Sequence, residues 1–386
     1  MKILAVCQYY DPEPFRITDM CEELVKRGHE VTILTGVPNY PMGEIYPGYE
    51  KGQRRKEEKN GVKIIRCATI PRKMDTIHRL LNYFSYPVSA WFMAGRLKDE
   101  YDVVFTNQQS PVMMCWPAIR YARKHHKKCV MYCMDLWPAS LAAGGMSSGV
   151  IYKFFGWLSK GVYRHVDVIL NTSKLFETYL VKQFGVDKSR IKHLPQYAES
   201  LFDDVGSVDD GYIDLMFAGN IGKAQSLETI IKAAREVKRS DVRWHIVGDG
   251  KELEHLKKMA ESMDNIIFHG RKALEEMPAY YRQADAMLVT LMKDDVISLT
   301  LPGKVQTYMA AGKPILCAAD GEAKLTVEDA GCGFAVGAED YLGLAKAVER
   351  FAQSDWAELG RRSRAYFDAH YQRSMFFDRL EEELRG

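Results

Sequence analysis

Short apolar runs, each followed by a helix-length amphipathic stretch, recur from end to end of this 386-residue chain. Strands separated by helices cannot pair as hairpins. They must be joined by crossovers and lie parallel, which gives a doubly wound α/β sheet and excludes helical bundles and antiparallel sandwiches. Residues 3–7 read as a buried strand and 8–16 as a loop holding Pro12 and Pro14. Residues 17–26 have apolar positions at helical spacing with Gly28 just beyond as a stop, and 31–35 form the next strand. Residues 101–107, 128–135, 167–173 and 190–195 continue the series.

The alternation then starts afresh. Residues 212–220, 242–250, 265–270, 286–291 and 313–319 read as strands, with helices over 226–237, 251–262, 277–284 and 304–312. At ~150 residues per domain the expectation is two Rossmann-like, doubly wound domains facing a cleft. They are 1–198 and 199–386, with the acidic stretch 199–211 as linker and the last helix, about 371–386, returning to the first domain. Ligands of such sheets bind beyond the carboxyl ends of the strands.

Composition (47% hydrophobic, 27% charged) excludes a disordered or disulfide-scaffold chain. The net charge of +2 conceals an asymmetry: residues 1–195 carry a formal +11 and residues 196–386 a formal −9. The acidic second half and the lack of any recognisable module argue against nucleic acid as a partner. The eight cysteines lack the two-residue spacing of a zinc or redox site, so no metal is expected. His29, His165, His193 and His245 have no nucleophilic arrangement around them and take structural roles. No acidic pair has the spacing of a glycoside hydrolase. The start of the chain lacks an export signal, and no apolar run reaches the ~18–20 residues of a spanning helix. A cytoplasmic protein is expected.

One stretch is suited to phosphate. Thr300, Leu301, Pro302, Gly303 and Lys304 stand directly before a helix, where Pro fits the first turn, Gly admits close approach, and free amides with the dipole favour anions. The alternative is an ordinary Pro-Gly helix entry with a solvent-facing lysine. Gly219-Asn220-Ile221-Gly222 is a second strand-end turn, and Gly248-Asp249-Gly250 a weaker one. Arg271 follows strand 265–270 either as a ligand contact or as a surface residue. Asp135, ending a buried strand, either faces the cleft or caps the next turn.

These motifs, taken in order, resemble the family 4 glycosyltransferases of GT-B fold, and among them bacterial O-antigen and capsule enzymes of N-acetylfucosaminyl type. The matching stretches are Gln8-Tyr9-Tyr10-Asp11-Pro12-Glu13-Pro14, Val37-Pro38-Asn39-Tyr40-Pro41, Asp135-Leu136-Trp137-Pro138, Gly219 to Gly222 with Gln225, and Pro302-Gly303-Lys304 with Tyr308 to Pro314. The resemblance implies retaining transfer from a nucleoside-diphosphate sugar without a cofactor or metal. By position, the 300–304 turn with Lys304 would hold the diphosphate and Arg271 would bracket the base. Gly219, Asn220, Gly222 and Gln225 would face the diphosphate and sugar. Asp135 would face the reacting sugar, with Tyr9, Tyr10 and Asn39 on the acceptor side. Most members carry two glutamates where this chain has Leu299 and Thr307, and Arg and Lys where it has Asn220 and Gln225. Asp294, Asp295 and Glu322 are the candidates to replace them in donor recognition, with an exposed charge pair in a loop as the alternative for Asp294 and Asp295.

Lys51, Arg54, Arg55, Lys56 and Lys59 cluster in one expected loop, and Arg120, Arg123, Lys124, Lys127 and Lys128 in another. Between them, residues 77–92 are rich in Leu, Phe, Tyr and Trp and flanked by Arg72, Lys73, Arg79 and Arg96. They suit the face of an anionic membrane, as a lipid-linked saccharide acceptor requires, with a core helix beside solvated loops as the alternative. The expected place is then peripheral, on the inner face of the plasma membrane. Two rival functions are a GT-B nucleotide-sugar 2-epimerase, which needs no acceptor, and a non-catalytic two-lobed sugar-binding protein.

Overall fold

A computed structural model describes residues 1–72, 76–144, 148–203 and 205–386. The chain divides into two compact units. One comprises residues 1–172, 176–194 and 377–386, the other residues 173–175 and 195–376.

The first unit holds β1 (Lys2–Val6), β2 (Glu30–Gly36), β3 (Lys56–Lys59), β4 (Val62–Cys67), β5 (Val103–Gln108), β6 (Lys128–Cys133), β7 (Val168–Asn171) and β8 (Ile191–His193). They form one sheet in the order β3-β4-β2-β1-β5-β6-β7-β8. Every pairing is parallel except β3 with β4. The inner strands are buried on both faces, which is why they read as continuous apolar runs. Helix α1 (Ile17–Lys26) buries Ile17, Met20, Cys21 and Leu24, one stripe at helical spacing. Gly28 follows at φ +87°, a left-handed stop.

Two charged stretches differ from expectation. Residues 56–59 are not loop but the outer strand of a hairpin, because Asn60 (φ 50°) and Gly61 (φ 79°) supply the two positive φ angles of a type I′ turn. Arg120, Arg123 and Lys124 lie on α3 (Trp116–His125), and Lys128 opens β6. Residues 76–96 and 149–165 are the helices α2 (Thr76–Arg96) and α4 (Gly149–His165), and α5 (Phe176–Phe184) follows. Lys73 lies outside the described residues.

The second unit holds β9 (Ile213–Ala218), β10 (Val242–Val247), β11 (Ile266–Gly270), β12 (Ala286–Thr290), β13 (Ile315–Ala318) and β14 (Gly333–Val336). All pairings are parallel, in the order β11-β10-β9-β12-β13-β14. That is the Rossmann order, in which the crossover direction reverses between the first and fourth strands. Here the reversal lies between β9 and β12, and in the first unit between β1 and β5. The connecting helices are α6 (Glu228–Glu236), α7 (Leu253–Met259), α8 (Met277–Gln283), α9 (Gly303–Ala310), α10 (Glu322–Ala330), α11 (Tyr341–Ala352) and α12 (Trp356–His370).

Helix α13 (Arg373–Arg385) ends in the first unit. There Arg27 donates to Asp378 at 2.7 Å, and Lys128 Nζ donates to the Glu383 carbonyl at 2.6 Å.

Beside the second reversal, the segments that follow β9 and β10 approach each other closely. Gly248 stands at φ +146°, and a Cβ there would sit 1.9 Å from the Gly219 carbonyl oxygen. Gly248→Ala is therefore expected to destabilise the chain by roughly 2–4 kcal/mol through strain and overpacking. Urea denaturation of the variant checks this, and a midpoint equal to that of the parent would contradict it.

Candidate functional site

The loops that follow β9 and β12 are laced together over the reversal. Thr290 Oγ1 donates to the Gln225 carbonyl at 2.6 Å and the Met292 amide to the Ala224 carbonyl at 2.9 Å. The Gly219 amide donates to Val247 and the Ile221 amide to Asp249, both at 2.9 Å. Helix α9 is pinned to the same place. The Tyr308 hydroxyl accepts the Ala218 amide at 3.0 Å and donates to the Ala218 carbonyl at 3.1 Å.

Lys304 lies one turn before Tyr308 on the same helical face. Its ammonium therefore runs beneath the Gly219 turn instead of out to solvent. Nζ stands 3.5 Å from the centroid of the Phe217 ring, and a Cβ on Gly219 would lie 3.0 Å from it. Nζ is buried and has no hydrogen-bond acceptor among the described residues. Burial lowers its pKa to about 7. Of the two readings open at this residue, the solvent-facing lysine is thus excluded.

Beside it, Pro302 caps α9, and the Gly303 and Lys304 amides open the helix without intrahelical partners. A buried cation without a counter-charge, at a helix N-terminus, over the reversal point of a Rossmann sheet, is an anion-binding arrangement.

Other candidates take different parts. Asn220, Gly222 and Gln225 come together: Asn220 Nδ2 donates to Gln225 Oε1 at 3.4 Å across Gly222. Arg271 is exposed directly after β11, two strands from β9 at the same end of the sheet. Thr300 is half-buried with its amide on the Ile297 carbonyl.

Three further candidates have partners within the chain. Leu301 packs its side chain in the core and donates its amide to Ser173 Oγ at 2.8 Å, so it braces the loop. Glu322 accepts the Lys174 and Leu175 amides, one on each oxygen, both at 3.0 Å. It fastens residues 173–175. Asp294 caps the turn after it, accepting the Val296 and Ile297 amides.

In the first unit, Asp135 is half-buried two residues past β6, and burial raises its pKa to about 6. Tyr9 stacks on Phe15 at 4.5 Å and Tyr10 is buried. The Asn39 side chain is closed within its own loops, with Nδ2 donating to the Val37 carbonyl and Oδ1 accepting the Arg72 amide. These two bonds shape the loop.

Sequence reasoning missed Glu13. Its buried carboxylate accepts the amides of Asn39 at 2.8 Å, Tyr40 at 2.7 Å and Tyr10 at 3.3 Å, tying the loop after β1 to that after β2. Burial raises its pKa to about 7. The flanking prolines gave no sign of this. His245, expected to be structural, is bonded to Asp214 at 2.8 Å and His269 at 2.9 Å.

Fold and site have a common likeness. The description "Glycosyl transferase 4-like domain" matches residues 15–196, and "Glycosyl transferases group 1" matches residues 213–354. The chain is a family 4 bacterial glycosyltransferase of GT-B fold. It is 26% identical over 338 residues to the Escherichia coli protein WcaI, named as a colanic acid biosynthesis glycosyl transferase, covering 81% of this chain and 82% of that one. It is 24% identical over 286 residues to Pseudomonas aeruginosa WbjE, named as a glycosyltransferase, covering 70% and 71%.

Among solved structures, sucrose-phosphate synthase of Thermosynechococcus elongatus superimposes with a TM-score of 0.76 at 17% identity, covering 100% of this chain and 98% of that one. Anabaena HepE in complex with UDP superimposes with 0.74 at 14% identity, covering all of both chains.

An anion on Lys304 would return its pKa toward the ordinary value, so binding must take up a proton between about pH 7 and the bound-state pKa. The nucleoside diphosphate that binds should do so with proton uptake at pH 8, and more weakly as pH rises. Calorimetry in buffers of different ionisation enthalpy reads this, and Lys304→Met should remove the buffer dependence.

Proposed function

We propose that this enzyme moves a sugar, with retention of configuration, from a nucleoside-diphosphate donor to a lipid-linked or growing surface polysaccharide. The observation that carries the reading is the buried, unpartnered Lys304 ammonium beside the start of α9. A leaving diphosphate gains negative charge as the glycosidic bond breaks. Preorganised amides and one lysine in a dry site stabilise that charge without reorganising. The same groups can fill the place of a divalent cation, so transfer is proposed to need no metal and no cofactor. The names of WcaI and of the UDP-bound HepE support the polysaccharide product and the nucleotide donor.

The Gly219 turn, with Asn220, Gly222 and Gln225, is assigned to the diphosphate and sugar, and Arg271 with its backbone to the base. Asp135 is assigned to the reacting sugar. The attacking hydroxyl would approach from the leaving-group side and pass its proton to a donor phosphate oxygen. The sugar is proposed to be a hexosyl or hexosaminyl group, an N-acetylated or 6-deoxy amino sugar among them, and the protein to work at the cytoplasmic face of the membrane.

A thermal-shift panel of nucleoside diphosphates tests the reading. A ligand at a hundredfold excess over Kd stabilises by about 2.7 kcal/mol, and no response to any of them would refute it. Lys304→Ala should lower transfer ~10²–10³-fold with the fold intact, and turnover near that of the parent would overturn its assignment. Asp135→Asn should lose turnover yet keep nucleotide affinity. Parallel loss of binding in a titration would place it with the nucleotide instead. Full activity in the presence of EDTA is expected.

A further inference from the structure

In the first unit, α2 and α4 turn large apolar side chains outward. On α2 these are Ile77 (71% exposed), Leu80, Leu81 and Phe92 (57%), while the opposite face buries Tyr83, Tyr86, Ala90 and Ala94. On α4 they are Val150 (84%), Ile151, Phe154 and Trp157 (69%), opposite buried Phe155, Ser159 and Val162. Each set follows one helical stripe, so each helix is amphipathic with an apolar side left uncovered. Aromatic rings link the two stripes, with the Phe84 ring of α2 6.4 Å from Phe155 of α4 and 6.3 Å from Trp116 of α3. Their outward stripes thus belong to one surface, larger than the scattered exposed residues of an ordinary monomer.

The charge on this surface is of one sign. Helices α2, α3 and α4 contain eight Lys and Arg and no Asp or Glu, in a chain whose 386 residues include 51 acids. Arg79, Arg96, Lys153, Lys160 and Arg164 are exposed and have no acidic partner among the described residues. A second copy of the chain would oppose like charge with like charge. The surface suits a partner that is anionic and apolar in successive layers, and a bilayer has that order.

We propose that α2 and α4 together form the face by which this protein lies on an anionic lipid bilayer, α4 making the larger apolar contact. Trp91 of α2 contributes less, because the Arg120 guanidinium covers its ring at 4.6 Å. Trp157 and Phe154, by contrast, stack on each other with centroids 6.2 Å apart, and among the described residues no cation lies over either ring. The proposed face leaves out the cluster around Lys51 and Arg54, on the segment before β3. The inference deepens the proposed function, resting on it for the lipid-borne acceptor, and adds the surface that would bring the enzyme to it.

The test is co-sedimentation of the full chain with phosphatidylcholine vesicles, with and without phosphatidylglycerol, at low and high salt. The parent should pellet with phosphatidylglycerol vesicles and be partly released by salt. Lys153→Gln with Lys160→Gln should weaken low-salt binding about 25-fold, near fivefold for each charge. Phe154→Ser with Trp157→Ser should remove at least tenfold of the binding that survives salt, since apolar insertion is not screened. Lys51→Gln with Arg54→Gln should change binding less than twofold.

All the substituted residues are exposed, and unchanged melting temperatures would show the variants folded. The proposal is overturned if the parent ignores phosphatidylglycerol vesicles at low salt. It also fails if the Lys51/Arg54 pair matters as much as the α4 pair, or if the Phe154/Trp157 variant only turns a dimer into a monomer. The thermal-shift panel of nucleoside diphosphates measured alongside separates the two readings. Absence of any shift would count against the transferase assignment, whereas loss of pelleting with the shift retained would count against this face alone.

Discussion

Much of the second unit is arranged around a single ammonium group that lacks a counter-charge. A pKa lowered to about 7 on Lys304 corresponds to roughly 5 kcal/mol by which burial disfavours its charged form relative to water. That is comparable to the whole net stability of many domains, so the fold must tolerate it by other means. The Phe217 ring face offers partial compensation. Tyr308 holds the helix in the one position that aims the lysine beneath the Gly219 turn. Gly219 and Gly248 lack the side chains that would close the gap. Such an arrangement is costly while empty and favourable once an oxyanion is present.

The first unit shows a related tendency at the carboxyl ends of its strands. Glu13 and Asp135 are both shifted toward the neutral form by burial, to about 7 and about 6. Their surroundings differ. Glu13 is saturated by three backbone amides and acts as a knot between loops. Asp135 is held instead by the Ser140 hydroxyl and the Leu136 amide. A carboxyl shifted this way repels an anionic donor less than a fully ionised one would.

The alternation of strand and helix was legible because each inner strand is buried on both faces and each helix on one stripe. The period changes visibly between them, and α1 was read to its bounds. The hairpin at residues 56–67 was not read, although Asn60-Gly61 marks its turn, because the charges of Lys56 to Lys59 looked like those of a solvated loop. The helix of residues 149–165 was missed for the opposite reason, its apolar side facing outward. At the site, position along the chain identified Lys304 but could not orient it. Its cover comes from Phe217, far earlier in the sequence. The partners of Leu301 and Glu322 were hidden on the same account, since they lie in residues 173–175.

The departures from the family pattern gain meaning from this geometry. Where most members carry Arg and Lys, Asn220 and Gln225 share a neutral hydrogen bond at the mouth of the turn. Thr307, in place of a glutamate, donates its hydroxyl back to the Lys304 carbonyl at 2.9 Å and so stays within its own helix. Leu299 ends a short turn capped by Asp294. None of these offers a full charge of the kind it replaces. On the proposed reading, the diphosphate therefore meets one lysine and the amides at the start of α9 where relatives present several cations. The burial of Lys304 is then consistent with its burden, because one charge in a dry site can do the work of several in a wet one.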